Sequence, residues 1–112
     1  MGVAEKAPDF RKTHYATPKL TTDELLECGA RLNRVSVDFL KIDVATGLTF
    51  TGIALHTDDA VKKARNRRSA RLAYDTVIKL IDRVTLSHDD SLILGRNLAR
   101  LRSELATLGE NV

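Results

Sequence analysis

A dense run of cations is the stretch of this sequence whose residue types most directly predict a binding chemistry. Residues 62–71 carry six Lys or Arg side chains in ten positions, separated by Ala, Asn and Ser. Clustered cations release counterions from nucleic acid, so the run predicts a surface for an anionic partner. Its members would be Lys62, Lys63, Arg65, Arg68 and Arg71.

The alternative interpretation of this run is a solvated helix face paired with nearby acidic side chains. No helix-turn-helix, zinc-finger or RNA-recognition signature accompanies the run, and no aromatic residue interrupts it. Recognition of a duplex or stacking on a single strand normally requires one of these features. The sequence therefore favours the solvated face over a nucleic-acid site.

Arg67 differs from the other cations of the run. The apolar residues that follow the run recur on one face of the helix, and Tyr74 and Ile81 both lie on that face. Arg67 stands seven residues before Tyr74 and therefore lies on the same face. This spacing predicts that the Arg67 side chain points toward the helical seam. A guanidinium in such a place requires a carboxylate. The predicted partner is Asp43, and the alternative is that the long side chain reaches water.

The sequence predicts no catalytic residue, no metal site and no cofactor. His14, His56 and His88 are far apart in the sequence, with no second His or Cys at the spacing of metal ligands. Cys28 falls at an apolar position, where a thiol packs as a small hydrophobic group. No glycine-rich phosphate loop, HExxH or GxSxG motif occurs. We therefore expect a protein without enzymatic activity.

The composition bounds the kind of protein. A chain of 112 residues with 4% aromatic residues and no Trp predicts one domain with an aliphatic core. The net charge is +3 and residues 62–71 alone carry +6, so the remainder sums to −3 and the basicity is local. A single Cys, together with the absence of a signal-peptide pattern and of any long apolar run, predicts a cytoplasmic protein that does not enter the membrane.

The first ordered element is expected after residue 19. Residues 1–19 contain both prolines and no apolar periodicity, which predicts a flexible N-terminal arm. Thr21 and Glu24 then form a capping-box pattern that opens a helix over about residues 21–45. Apolar residues follow at alternating steps of three and four, which is typical of a helix-packing seam, and we expect this seam to face the core. It consists of Leu25, Cys28, Leu32, Val35, Phe39 and Ile42.

Residues 43–57 allow two interpretations. A Thr46-Gly47 turn flanked by alternating apolar residues would give a hairpin, whereas a helix would tolerate Gly47 and Gly52 at a cost of up to about 1 kcal/mol each. Helix is favoured because an isolated two-stranded ribbon is marginal in water and no third strand is offered. This helix, over 48–57, is either separate from the first or continuous with it. If it is continuous, it bends near Gly47 or one end projects and meets a partner chain.

Two further helices complete the predicted domain over residues 20–109. One runs over about 59–83, capped by Asp58 and Asp59, and the last runs over about 88–108, opened by Ser87 and ended by Gly109, after which the chain should fray. Because the connection between them is short, they must be antiparallel neighbours. The last helix carries an apolar stripe at steps of four and three that is expected to face the core; it consists of Leu94, Leu98, Leu101, Leu105 and Leu108. The predicted fold class is all-α, a small antiparallel three- to four-helix bundle.

The excess of apolar surface on the first helix indicates a function. Leu26, Leu40, Val44, Leu48 and Leu55 flank its seam, and three helices of unequal length would leave part of this surface uncovered. We therefore expect a non-enzymatic protein-protein interaction or oligomerisation module that forms a homodimer or binds another protein. The alternative function is a nucleic-acid-binding regulator that uses residues 62–71.

Overall fold

The computed structural model describes residues 21–112, and the regular secondary structure in this range is entirely helical, without a strand. We number the helices α1 (Thr22–His56), α2 (Ala60–Leu80) and α3 (His88–Thr107); a short 3-10 helix, Ile81–Arg83, continues α2. The all-helical prediction is confirmed, and the hairpin interpretation of residues 43–57 is excluded. The arm predicted for residues 1–19 lies outside the described residues.

Helix α1 is continuous from Thr22 to His56, and its start is fixed by the predicted capping box. The Thr21 hydroxyl accepts from the Glu24 backbone N–H at 3.1 Å, and the Glu24 carboxylate accepts from the Thr21 N–H at 3.2 Å. At 35 residues, α1 is roughly 50 Å long, whereas α2 and α3, at 21 and 20 residues, are each about 30 Å. Part of α1 therefore extends beyond the helices that pack on it.

Side-chain caps also start the other two helices. The Asp59 carboxylate accepts from the backbone N–H groups of Val61 and Lys62, and the Ser87 hydroxyl accepts from that of Asp90. These acceptors satisfy donors that a helix N-terminus leaves unpaired.

Helix α3 ends in a left-handed glycine. Gly109 has φ +96°, and the Glu110 N–H donates to the Leu105 carbonyl at 2.9 Å, which is the pattern of a Schellman motif. The chain thereby reverses, and Glu110 comes to lie against α2. The expectation that the chain frays after Gly109 is wrong at Glu110, because this carboxylate is held by two arginines of α2.

The core is aliphatic and draws on all three helices, as the composition predicts. Its fully buried members come from α1 (Leu40, Val44), α2 (Ala70, Val77) and α3 (Leu94, Leu101, Leu105). Helix α1 contacts both other helices and shares its largest interface with α2. Tyr74 and Leu98, both predicted to face the core, pack against it as partly buried side chains.

The seam predicted on α1 is the wrong face of that helix. The residues that pack against α2 and α3 form what we call the inner stripe, Val37, Leu40, Val44, Gly47, Thr51 and Ala54, which also recur at steps of three and four. The predicted seam, which we call the outer stripe (Leu25, Cys28, Leu32, Val35, Phe39 and Ile42), is exposed along its whole length. At 100° per residue the two stripes lie more than 100° apart around the helix.

The hydrogen bonds between α1 and the rest of the bundle begin at Asn33, one turn before the inner stripe. The Asn33 side chain donates to the Thr85 carbonyl at 2.8 Å and accepts from the Thr85 N–H at 2.7 Å, which fixes the connection between α2 and α3 against α1. Two turns later, Lys41 pairs with Asp90 of α3 at 2.5 Å. The part of α1 before Asn33 extends beyond this connection.

Candidate interaction surface

The start of α1 stands away from the bundle. Every residue from Thr22 to Leu32 is exposed, which is about three turns of helix, and within this segment Gly29, Ala30 and Leu32 border the connection between α2 and α3. Isolated helices of this length are marginal in water. This segment is helical because it continues a longer helix with a capped start, and its apolar side chains Leu25, Leu26 and Leu32 remain more than half exposed. A helix end of this kind is suited to contact another chain.

The outer stripe is an apolar surface with regular helical spacing. The exposed fraction is 55% at Leu25, 65% at Leu32 and Val35, 49% at Phe39 and 66% at Ile42. Single exposed apolar residues are common, but a contiguous row of six on one helix face is typical of an interaction site. The stripe runs from the projecting turns onto the part of α1 that the bundle supports, so it is held on a rigid element.

A groove borders the outer stripe where α2 ends. Its lining is mostly apolar, with Val35 and Phe39 on the side of α1 and Leu80 and Val84 on the side of α2, and Arg83 at its rim. Its volume is about 360 Å³, which accommodates one or two large side chains from a partner. The groove therefore widens the apolar surface beyond α1 itself.

The two edges of the outer stripe differ in charge and size. One edge carries Glu24, Arg31 and Asp38 at intervals of seven residues, and the other carries Gly29, Ser36 and Asp43 at the same interval. Arg31 makes a loose contact of 3.7 Å with Glu27, and both side chains are largely exposed. The first edge can therefore form new ion pairs across an interface.

The six cations of residues 62–71 are divided by the structure into two groups. Arg71 donates to Asp75 at 3.0 Å and to Glu110 at 3.2 Å, and Arg67 also pairs with Glu110, so these two cations are used within the fold. The other four are exposed and make no ion pair within residues 21–112; they are Lys62, Lys63, Arg65 and Arg68.

The structure pairs Arg67 with Glu110, so the predicted ion pair with Asp43 is not formed. The reversal of the chain at Gly109 brings Glu110 to Arg67, whereas no contact joins Asp43 to a cation within residues 21–112. Partial burial raises the pKa of Asp43 above its ordinary value. This carboxylate therefore carries a desolvation cost that no described ion pair offsets.

Two other carboxylates have a shifted pKa in the opposite direction. The hydrogen bond from Arg67, with a smaller contribution from Arg71, lowers the pKa of Glu110 below its usual value. The hydrogen bond from Lys41, followed by that from Ser87, lowers the pKa of Asp90. Both acids join helices that are distant in the sequence. Sequence reasoning missed both pairs, because a carboxylate past a helix end or in a first helical turn does not indicate its tertiary partner.

The remaining chemically reactive side chains do not assemble into a site. His56 Nδ1 lies 2.8 Å from the Gly52 carbonyl of its own helix, and His88 begins α3. Within the described range, no group of three or more His, Cys, Asp or Glu side chains could hold a metal ion. Thr51, fully buried on the inner stripe, donates to Glu104 of α3 and is a packing residue.

No described helix combines the length and the apolar character needed to cross a membrane. No protein-family model, no curated protein and no solved structure matches the chain significantly. Within residues 21–112, the outer stripe and the four exposed cations of α2 are two surfaces suited to contact a partner.

Proposed function

We propose that this protein is a non-enzymatic helical interaction module that associates through the outer stripe of α1, and that its partner in the simplest case is a second copy. The observation that supports this proposal is the row of six apolar or thiol side chains exposed on a rigid helix whose first turns are exposed at every residue. Fully burying a Leu, Val, Ile or Phe side chain contributes about 1.5–3 kcal/mol. The five such side chains of the outer stripe are each 49–66% exposed. Association would recover a large part of this free energy.

The arrangement of the bundle is compatible with this role. We infer that its helices run antiparallel, because short connections join them and because Asn33, in the first half of α1, binds Thr85 just beyond α2. The bundle then serves as a support that holds one half of the outer stripe while the other half projects. We place the protein in the cytoplasm, since its one Cys excludes an internal disulfide.

The experiment that tests the proposal compares two Leu residues of similar exposure. Leu32 lies on the outer stripe with 65% exposed, and Leu72 lies on α2, away from the stripe, with 68% exposed. We expect the full chain to sediment as a dimer at micromolar concentration, Leu32→Asp to sediment as a monomer, and Leu72→Asp to remain a dimer. A monomeric parent over the micromolar range, or equal effects of the two substitutions, would show that the stripe does not mediate self-association.

The second candidate function is nucleic-acid binding through the exposed cations of α2. It is favoured by the observation that Lys62, Lys63, Arg65 and Arg68 make no ion pair within residues 21–112, while the neighbouring Arg67 and Arg71 do. If all four contacted phosphates, the logarithm of the duplex affinity would fall with the logarithm of salt concentration at a slope of about −3 to −4.

Charge reversal at two of these positions tests this second function. We expect Arg65→Glu with Arg68→Glu to abolish duplex binding, whereas Lys79→Glu, near the other end of α2, should change it little. A salt response close to flat in the parent, or unchanged binding after the reversal, would eliminate the nucleic-acid function without affecting the proposal for the outer stripe.

A further inference from the structure

The residues of the outer stripe differ in size in an order that indicates how two copies would pair. From its first to its last member the stripe reads Leu25, Cys28, Leu32, Val35, Phe39, Ile42, so that a small residue stands second and the largest stands second from the end. Two helices that pack with this spacing meet in layers of one residue from each helix. The size order therefore distinguishes parallel from antiparallel pairing.

We propose that a second copy of this chain binds the outer stripe in antiparallel orientation, with Leu32 opposite Val35 of the second copy. This inference rests on the proposed function and names its partner and geometry. The other layers would then join Leu25 to Ile42 and Cys28 to Phe39 across the interface. Each layer has a similar total volume, because the smallest side chain faces the largest.

A parallel pairing in register is disfavoured by the same side chains. It would place Cys28 opposite Cys28, which leaves a gap, and Phe39 opposite Phe39, which crowds the interface. Gaps and overpacking both weaken a helical interface. The antiparallel pairing avoids both defects, because each Cys28 faces a Phe39 of the other copy.

The charges along the edge formed by Glu24, Arg31 and Asp38 also favour the antiparallel orientation. In antiparallel helices, residues on equivalent edges face each other, so Arg31 would meet Asp38 of the second copy, and this opposite-charge pair would occur twice in the dimer. In parallel helices, opposite edges meet, and Asp38 would face Asp43 of the second copy, a like-charge contact. Asp38 makes no ion pair within residues 21–112, so its carboxylate is available to a partner.

The other edge leaves room for the second helix beside the bundle. Gly29 and Ser36 would meet across the antiparallel interface, and Ser36 lines the groove next to Arg83 and Val84. A β-carbon at Gly29 would have no neighbour within 4 Å in the single chain, so the space around it is open. The small size of both residues permits a close approach of two helices where α2 ends.

Disulfide trapping tests the orientation directly, because the chain has one Cys, at a position inside the stripe. Antiparallel pairing separates the two Cys28 thiols and places each beside Phe39 of the other copy. Under mild oxidation we expect the parent to remain uncross-linked, while Phe39→Cys forms a covalent dimer through Cys28. Phe39→Cys with Cys28→Ser is the control and should not cross-link. A covalent dimer of the parent through Cys28 would overturn the antiparallel orientation.

Charge reversal provides a second test that does not depend on cysteine chemistry. Arg31→Asp and Asp38→Arg should each weaken the dimer roughly tenfold, since each places like charges together at two symmetric positions, and the double variant should regain most of the affinity. Lys79→Glu, which changes the charge by the same amount as Arg31→Asp, serves as the control for that variant. If all variants, including the parent, are monomers, the proposed self-association itself fails. If the parent is a dimer but the double variant is not rescued, the dimer stands and its orientation is wrong.

Discussion

Gly47 of α1 lies so close to Leu101 of α3 that a β-carbon built on the glycine would stand 2.9 Å from the leucine Cδ2. The same β-carbon would lie 3.3 Å from the Ala73 β-carbon of α2. Carbon atoms in contact prefer about 3.5–4.0 Å, so a methyl group at this position requires the fully buried Leu101 side chain to shift. All three helices therefore approach one another at Gly47. Gly52, five residues later on the same helix, has no such neighbour within 4 Å.

We predict that Gly47→Ala and Gly52→Ala shift stability in opposite directions. The first should lower the free energy of unfolding by about 1–3 kcal/mol, because overpacking at a fully buried Leu101 outweighs the gain in helix propensity. The second should raise it by up to about 1 kcal/mol, since only the propensity gain applies. Urea unfolding followed by circular dichroism, at one fixed protein concentration, measures both. Stabilisation by Gly47→Ala would contradict the three-helix contact.

Asn33 should be a stability determinant although its side chain is only partly buried. Asn33→Ala removes both hydrogen bonds to the Thr85 backbone and should cost about 1–2 kcal/mol of unfolding free energy. Thr85→Ala is the matched control, because Thr85 takes part through its backbone alone and the substitution leaves both bonds in place. An equal loss in the two variants would mean that the connection between α2 and α3 is not held through Asn33.

The sequence predicted the helices of this fold well because their signals are local. The capping residues Thr21, Asp59 and Ser87 accept hydrogen bonds from backbone N–H groups two or three positions later. Both partners of each bond are therefore visible in a short stretch of sequence. The stripe on α3 was also predicted correctly: Leu94, Leu101 and Leu105 are fully buried. No competing apolar face of the same regularity exists on that helix.

The face of α1 that packs could not be predicted in the same way. Leu25 to Ile42 and Val37 to Ala54 both recur at steps of three and four, and periodicity alone does not rank them. The choice depends on where two shorter helices end along a longer one, which is a tertiary property. Glu110 was missed for a related reason, because a residue beyond Gly109 was expected to fray. The predicted partner of Arg67 was consequently wrong as well.

The Glu110 carboxylate should make stability dependent on pH in the acid range. Its pKa is lowered in the folded chain by Arg67 and then by Arg71, so its contribution is fully present above the ordinary value of 4.5 and is lost as the pH falls through the folded pKa. Glu110→Gln should therefore lower the unfolding free energy by about 0.5–1 kcal/mol at neutral pH, a modest value because Arg67 is partly exposed. The difference from the parent should vanish in strong acid, and a difference that persists there would contradict an ionic origin.

Asp43 should show the opposite dependence, and the comparison separates the two carboxylates that were considered as partners of Arg67. Burial raises the pKa of Asp43, so its ionised form is disfavoured in the folded chain, and the cost is present above the folded pKa and relieved as the pH falls toward the ordinary value of 3.8. Asp43→Asn should therefore leave stability at neutral pH unchanged or raise it by less than about 1 kcal/mol. Denaturant midpoints at neutral and acid pH, measured beside Glu110→Gln, check this. A loss of stability at neutral pH would instead indicate that Asp43 holds a cation in the folded protein.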